Sequence, residues 1–175
     1  MDPTEIVAVP RISDSHVAFL RSEQGYLSEH IRMADQKATA MLAISLGALG
    51  YLFSKGRYAD IFRLHPAQWA LTHPLELVSV LLLLIGLGTA LLVLLPRFRK
   101  SPNGLIFWEA VARHGSGQNY LTAVSALSSS QLAEHICDHC MAAANVASHK
   151  YRLLRVCFWT APFGALLGVM TTLFR

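Results

Sequence analysis

LELVSVLLLLIGLGTALLVLLP, residues 75–96, decides the fold. Between Glu76 and Arg97 it carries no charged side chain, and a helix rising 1.5 Å per residue over this length covers the roughly 30 Å hydrocarbon core of a bilayer. Two more apolar runs flank it: ATAMLAISLGALGYLF over residues 38–53 and VCFWTAPFGALLGVMTTLF over 156–174. A water-soluble domain can hide one such run as a core helix, but three of them in 175 residues leave too little polar chain to cover them. Composition agrees: 53% of residues are hydrophobic and only 15% charged, against about 25% charged in soluble domains. The expected fold is an all-α membrane protein, with three transmembrane helices and a small, mostly helical cytoplasmic region between the second and third.

The segments read as 1–37, a cytoplasmic N-terminal helical stretch; 38–54, the first span; 55–74, an external loop; 75–95, the second span; 96–155, the cytoplasmic helical region; and 156–174, the third span. The first run is short for a bilayer unless its helix begins near Ala34, which puts Asp35 and Lys37 at the membrane surface. Pro162 in the third run is tolerated, because a proline kinks a membrane helix without excluding it. The first thirty residues mix Asp2, Glu5, Arg11, Asp14 and Arg21 with no apolar block, so no cleavable signal is expected and the N-terminus should stay cytoplasmic. Orientation follows from the basic residues. Arg97, Arg99, Lys100, Arg113, Lys150, Arg152 and Arg155 lie between the second and third runs, whereas the first loop has only Lys55, Arg57 and Arg63. The formal charge of +4 is accordingly read as serving anionic headgroups and topology, and no nucleic-acid partner is expected.

Helical periodicity extends beyond the spans. Leu20, Tyr26, Leu27, Ile31 and Ala34 fall at helical spacings among polar residues, a pattern able to run straight into the first span. Leu132, Ile136, Cys140, Ala143 and Val146 do the same ahead of the third, in a stretch free of proline and glycine. Ser128 or Ser129 followed by Gln131 supplies a capping box at its start. Pro102, Asn103 and Gly104 form a turn, and the apolar piece Leu105 to Trp108 after it reads equally as a strand, a short helix or an interfacial anchor.

Candidate chemistry is sparse. Cys137, Cys140 and Cys157 are odd in number and suggest reduced thiols. In HICDHC, His135 and His139 share one helical face and Cys137 and Cys140 another, so the four do not converge on a single metal ion unless the helix breaks. There is no GxSxG, Walker loop or HExxH, and no enzyme is expected. Asp35 and Lys37 enter the first span, and Lys150, Arg152 and Arg155 enter the third. Two readings fit them: an Asp35 to Lys150 pair pinning two helices, or a polar pocket whose Lys and Arg suit a phosphate-bearing ligand. Gly164 with Gly168, and Ala43 with Gly47, have the small-xxx-small spacing that lets helices approach closely and allows a homo-oligomer.

ADQKATAML at the first span, PNGLIFW after the second and QLAEHICDHC with ANVASHKYRLLR before the third resemble the membrane-spanning effectors of Pycsar, the pyrimidine cyclase system for antiphage resistance. The resemblance covers nearly the whole chain after about Ser28. It rests on Asp35, Lys37 and Ala38, on Pro102, Asn103 and Phe107, and on Lys150; where the family has a Gln-Ile pair this chain has His135 and Ile136. It implies a two-gene defence pair whose effector lies in the bacterial inner membrane. A neighbouring cyclase makes a cyclic pyrimidine nucleotide, cUMP or cCMP, on infection, and the membrane protein responds by impairing the bilayer. The residues of this chain add a hypothesis to that: the nucleotide binds the cytoplasmic part near Lys37, Asn103, His135, Lys150 or Arg152, with Asp35 as a further ligand or gating residue, no cofactor beyond the nucleotide and lipid as the other partner.

Two other functions fit a protein of this build. A passive anchor or assembly subunit would hold a cytoplasmic partner through its basic loop. A transporter or constitutive channel is disfavoured, since the spans hold no intramembrane charges for an ion path and show no inverted repeat, although Ser45, Ser79 and Thr89 offer hydroxyls to an oligomeric pore.

Overall fold

Helices begin and end where the sequence punctuates them. In the computed structural model, which describes residues 12–54, 72–96, 105–106 and 108–173, they are α1 (Asp14–Ser54), α2 (Thr72–Leu94), α3 (Trp108–Arg113), α4 (Gly117–Ser125) and α5 (Ser129–Leu173). No strand occurs among the described residues. α1, α2 and α5 are long and apolar enough to cross a membrane. α1 and α5 are single helices of 41 and 45 residues, so the periodic stretches before the first and third spans continue into them without a break. At the start of α5 the Ser128 backbone N–H donates to Gln131 Oε1 at 2.9 Å and the Gln131 N–H donates to Ser128 Oγ at 3.3 Å, which is the reciprocal capping box with Ser128 as its cap. α4 is capped by Ser116, whose Oγ accepts from Asn119 N–H at 3.2 Å. Within the apolar piece Leu105 to Trp108, Leu105 and Ile106 form a bend and Trp108 opens α3, while Phe107 and the Pro102 to Gly104 stretch lie outside the described residues. Most of the first loop (55–71), and Asn103 with it, lies outside the described residues.

The chain divides into two units, residues 1–29 with 98–145 and residues 30–97 with 146–175. In the second unit α5 buries Ala147, Lys150, Leu154, Cys157, Ala161, Gly164, Gly168 and Thr171, an unbroken alternation of three- and four-residue steps. α2 buries Glu76, Ser79, Leu83, Gly86, Ala90 and Val93 in nearly the same rhythm, and α1 buries Ala34, Ala38, Ser45, Leu49 and Leu52. Such heptad spacing keeps one stripe of each helix against its neighbours over many turns. Ala38, Val93 and Leu154 share one apolar cluster, and a Cβ placed on Gly168 would meet both Leu52 and Ser79. These two layers are two heptads apart on every helix (38 to 52, 93 to 79, 154 to 168), about 21 Å at 1.5 Å per residue. α1 and α5 therefore run parallel and α2 returns between those layers in the opposite direction. An apolar cluster of Leu49, Leu52 and Leu83 fills the space between them.

Close approach is concentrated where α2 meets α5. A Cβ on Gly86 would lie 2.9 Å from Ala161 Cβ and 3.2 Å from its Cα, and one on Gly164 would lie 3.0 Å from the Leu83 backbone nitrogen. Ser79 Oγ donates to Gly164 O at 2.8 Å and Cys157 Sγ to Gly86 O at 3.3 Å, both inside this contact. Thr89 Oγ1 donates to Ile85 O within its own helix at 2.8 Å. Ser45 and Ser79 are thus inside the packing of one chain, away from the faces that further copies would line. Glu76, placed by its position in sequence at the lipid edge, is buried at 2% exposure.

Candidate functional site

Where α1 and α5 come together at the start of the first and third apolar runs, polar chemistry replaces apolar packing. Asp35 and Lys150 form a salt bridge, with the Lys150 Nζ donating to Asp35 Oδ1. The two ends of the pair differ in environment. The Lys150 side chain is 7% exposed and that of Asp35 36%, so the carboxylate still reaches solvent while the ammonium depends on its partner. Ala34, one residue before Asp35, and Leu154, one helical turn after Lys150, belong to an apolar cluster with Ala38 and Val93. Tyr151, next in sequence, donates its hydroxyl to His30 O at 3.4 Å, and the His30 and Tyr151 rings lie 6.4 Å apart.

On the outer face of this pair Lys37 reaches over the Tyr151 ring, its Nζ 5.9 Å from the centroid. Lys37, Tyr151, Leu154, Arg155 and Phe158 line an open groove of about 320 Å³, at the small end of the range of ligand sites. Tyr151, Leu154, Arg155 and Phe158 are one helical stripe at positions i, i+3, i+4 and i+7, which is why a single face of α5 supplies four of the five walls. Lys37 and Arg155 are both exposed. The groove therefore offers two solvated cations, an aromatic ring and an apolar floor, a set suited to an anion with an apolar or aromatic body.

Of the residues singled out in the sequence, Asp35, Lys37 and Lys150 meet at this place. Arg152 belongs to the same unit but is exposed and is not among the lining residues. His135 belongs to the other unit, half-buried on α5, and Asn103 is outside the described residues. Tyr151 went unremarked, and Arg155, counted among the polar ends suited to a phosphate-bearing ligand, was not among the six residues assigned to the ligand. Both fall on the stripe that begins one residue after Lys150. Among the packing glycines, Gly164 and Gly168 lie against Leu82, Leu83, Ser79 and Leu52, whereas Ala43 and Gly47 are exposed and a Cβ on Gly47 would meet nothing within 4 Å. Gly86, at small-xxx-small spacing with Ala90 but not singled out in the sequence, makes one of the tightest contacts.

The other unit holds the histidine and cysteine cluster. No group of metal-ligating side chains converges among the described residues. Burial holds the His139 imidazole below its ordinary value near 6.5. Burial also pushes the Cys140 thiol up, with Cys137 and Glu23 adding to the shift, and Cys140 Sγ lies 3.7 Å from Leu20 O. Because the folded state holds His139 less basic than the unfolded chain does, unfolding takes up a proton at low pH. The contribution of neutral His139 is present above the unfolded pKa and is lost as pH falls below it. Stability of the solubilised protein is therefore expected to drop as pH falls below about 6.5, and His139→Gln should remove part of that slope, as read by tryptophan fluorescence during urea unfolding. A second cavity of this unit, about 270 Å³, is bordered by Val111, Ala112, Gly115, Ser116, Gly117 and Tyr120, none of them charged.

Three membrane-length helices packed on a heptad stripe, with ion-paired and free basic residues where two of them enter the apolar region, define a polytopic α-helical membrane protein with an anion-suited groove at one end of its bundle. Residues 19–175 match the family described as the Pycsar effector protein domain. The chain is also 26% identical over 163 residues to the Pycsar effector protein SaPycTM of Staphylococcus aureus, an alignment covering 90% of this chain and 94% of that one. No solved structure matches it. The chain belongs to the Pycsar effector family and is a transmembrane effector of antiphage defence.

Proposed function

We propose that this effector is switched on by a cyclic pyrimidine nucleotide, cUMP or cCMP, made by a partner cyclase on infection, and that it then impairs the bacterial inner membrane and aborts the infection. Its N-terminus and residues 96–155 face the cytoplasm, where the nucleotide is made, and it acts as a homo-oligomer. The observation that supports this reading is the groove beside the Asp35 and Lys150 pair, with Lys37 and Arg155 exposed on its rim. A cyclic nucleotide carries one phosphodiester charge. Arg155 presents a planar donor fork to such a group, Lys37 a compact charge, and the Tyr151 ring a face for the base.

Activation requires that the nucleotide bind one arrangement of α1 and α5 better than another. Two charge-assisted contacts made in only one arrangement contribute about 1.5–3 kcal/mol each, about 3–6 kcal/mol together, so only at the upper end do they alone supply the roughly 5.5 kcal/mol that turns a two-state population from 1:99 to 99:1. Lys37 is on α1 and Arg155 on α5, so a phosphate held by both ties the two helices together.

Binding of radiolabelled cUMP and cCMP to the detergent-solubilised full chain tests the assignment. Lys37→Gln with Arg155→Gln should weaken binding at least 100-fold if each contact contributes roughly 1.5 kcal/mol, while the salt bridge and the helix content persist. Unchanged affinity in that double variant would remove the groove from the mechanism.

A further inference from the structure

The groove has a feature that a water-borne nucleotide does not use: its floor runs into the apolar part of α5. Leu154 is buried beneath the rim and Phe158, 45% exposed, lies a turn beyond Arg155 at the start of the third apolar run. Trp159 and Phe163 continue this exposed aromatic surface, their rings stacked with centroids 5.7 Å apart. The cations sit where the first and third apolar runs begin, which is the depth of lipid headgroups. A cationic rim at that depth above an apolar, aromatic floor directed toward the hydrocarbon matches a molecule with an anionic head and an acyl tail.

We infer that the groove of Lys37, Tyr151, Leu154, Arg155 and Phe158 is a binding site for one anionic phospholipid, its phosphodiester between Lys37 and Arg155 and an acyl chain along Phe158. Charge complementarity selects this occupant. A second copy of the chain, docked symmetrically, would bring the same two cations against each other. A zwitterionic lipid carries its own cation beside the phosphate and gains less from the rim. The phosphodiester monoanion is the chemistry that this lipid shares with a cyclic nucleotide, and the two cannot hold Lys37 and Arg155 at once: the lipid fills the groove with no nucleotide present and a nucleotide bound there would displace it, so the lipid site is tested without nucleotide and stands or falls apart from that reading.

The test uses the full chain carrying Trp69→Phe and Trp108→Phe, which leaves Trp159, one turn beyond Arg155, as the single fluorescent reporter. The protein is reconstituted into phosphatidylcholine vesicles in which a rising fraction of lipid is replaced by dibrominated phosphatidylglycerol or dibrominated phosphatidylcholine. Bromine quenches the indole on contact, so the two titrations give relative association at the site. Phosphatidylglycerol is expected to associate more tightly, and Arg155→Gln or Lys37→Gln should each reduce that preference roughly 5-fold. Arg32→Gln, which removes an exposed cation of α1 outside the groove, should leave it intact. Equal quenching by the two lipids in the parent protein overturns the proposal without reference to any groove variant. So does a preference abolished by inorganic phosphate but not by chloride at matched ionic strength, because the site would then take phosphate from water and not from lipid.

Discussion

Asp35→Ala is expected to lower the unfolding free energy by about 3 kcal/mol, while Lys150→Met, at the other end of the same ion pair, costs only about 1 kcal/mol. The asymmetry follows from exposure. Removing Asp35 leaves an ammonium whose side chain is 7% exposed without its counter-charge, whereas removing the Lys150 charge leaves a carboxylate whose side chain is 36% exposed and still hydrated. Methionine also keeps an unbranched apolar side chain at this buried position. The double variant Asp35→Ala with Lys150→Met should return to within about 1 kcal/mol of the parent, because no unpaired buried charge remains. Reversible unfolding in mixed detergent and dodecyl sulfate micelles measures all three. Equal losses in the two single variants, with no recovery in the double, would mean that the two side chains are not coupled and that the pair is not a structural clamp.

Gly86→Leu is the second change with a large effect. Its first side-chain atom would stand 2.9 Å from Ala161 Cβ and 3.2 Å from Ala161 Cα and nitrogen, so the backbones of α2 and α5 must separate. Overpacking of this kind costs roughly 3 kcal/mol, and here it also pulls Cys157 Sγ from Gly86 O. Gly164→Leu meets the Leu83 backbone and should behave alike. Gly168→Ala should be milder, since the atoms it meets are the ends of the Ser79 and Leu52 side chains, which can turn aside. Gly47→Leu should change the stability of the isolated chain by no more than about 0.5 kcal/mol, because nothing lies within 4 Å. The same unfolding measurement ranks these variants, and a loss for Gly47→Leu as large as for Gly86→Leu would contradict the helix packing described here.

Those glycines also mark how far the sequence could be read. Spans are legible because a run such as residues 75–96 has no polar alternative in lipid, and the α5 start is legible because Ser128 and Gln131 satisfy each other's backbone only at that spacing. The Asp35 and Lys150 pair was legible as chemistry, since two opposite charges at the mouths of two spans gain most by meeting. What local motifs did not reveal was the face. Gly164 and Gly168 fall on the buried heptad stripe of α5 and Gly86 on that of α2, while Gly47 falls between buried Ser45 and Leu49 on α1 and points away from the bundle. A GxxxG-type spacing carries no information about which of its helix faces meets a neighbour; only the longer three-four rhythm does. The same rhythm decides the cations. Lys150 is on the stripe and is consumed by Asp35, Arg155 is one residue past the buried Leu154 and stays free, and no property of the side chains alone separates them.

The burial pattern also bears on how a membrane could be breached. Within one chain the hydroxyls of Ser79 and Thr89 are taken by carbonyls, and Ser45 is buried. A polar path through the bilayer would therefore call for rearrangement of the helices or for contacts between copies, and under the proposed activation either route is one that a ligand can favour.

Leakage of a small dye from liposomes carrying the purified full chain addresses the proposed activity without any cellular partner. cUMP or cCMP should release the dye, cAMP and buffer should not, and Lys37→Gln with Arg155→Gln should be silent. Release independent of nucleotide, or none with any nucleotide once insertion is verified, would contradict direct gating of this effector by a cyclic pyrimidine.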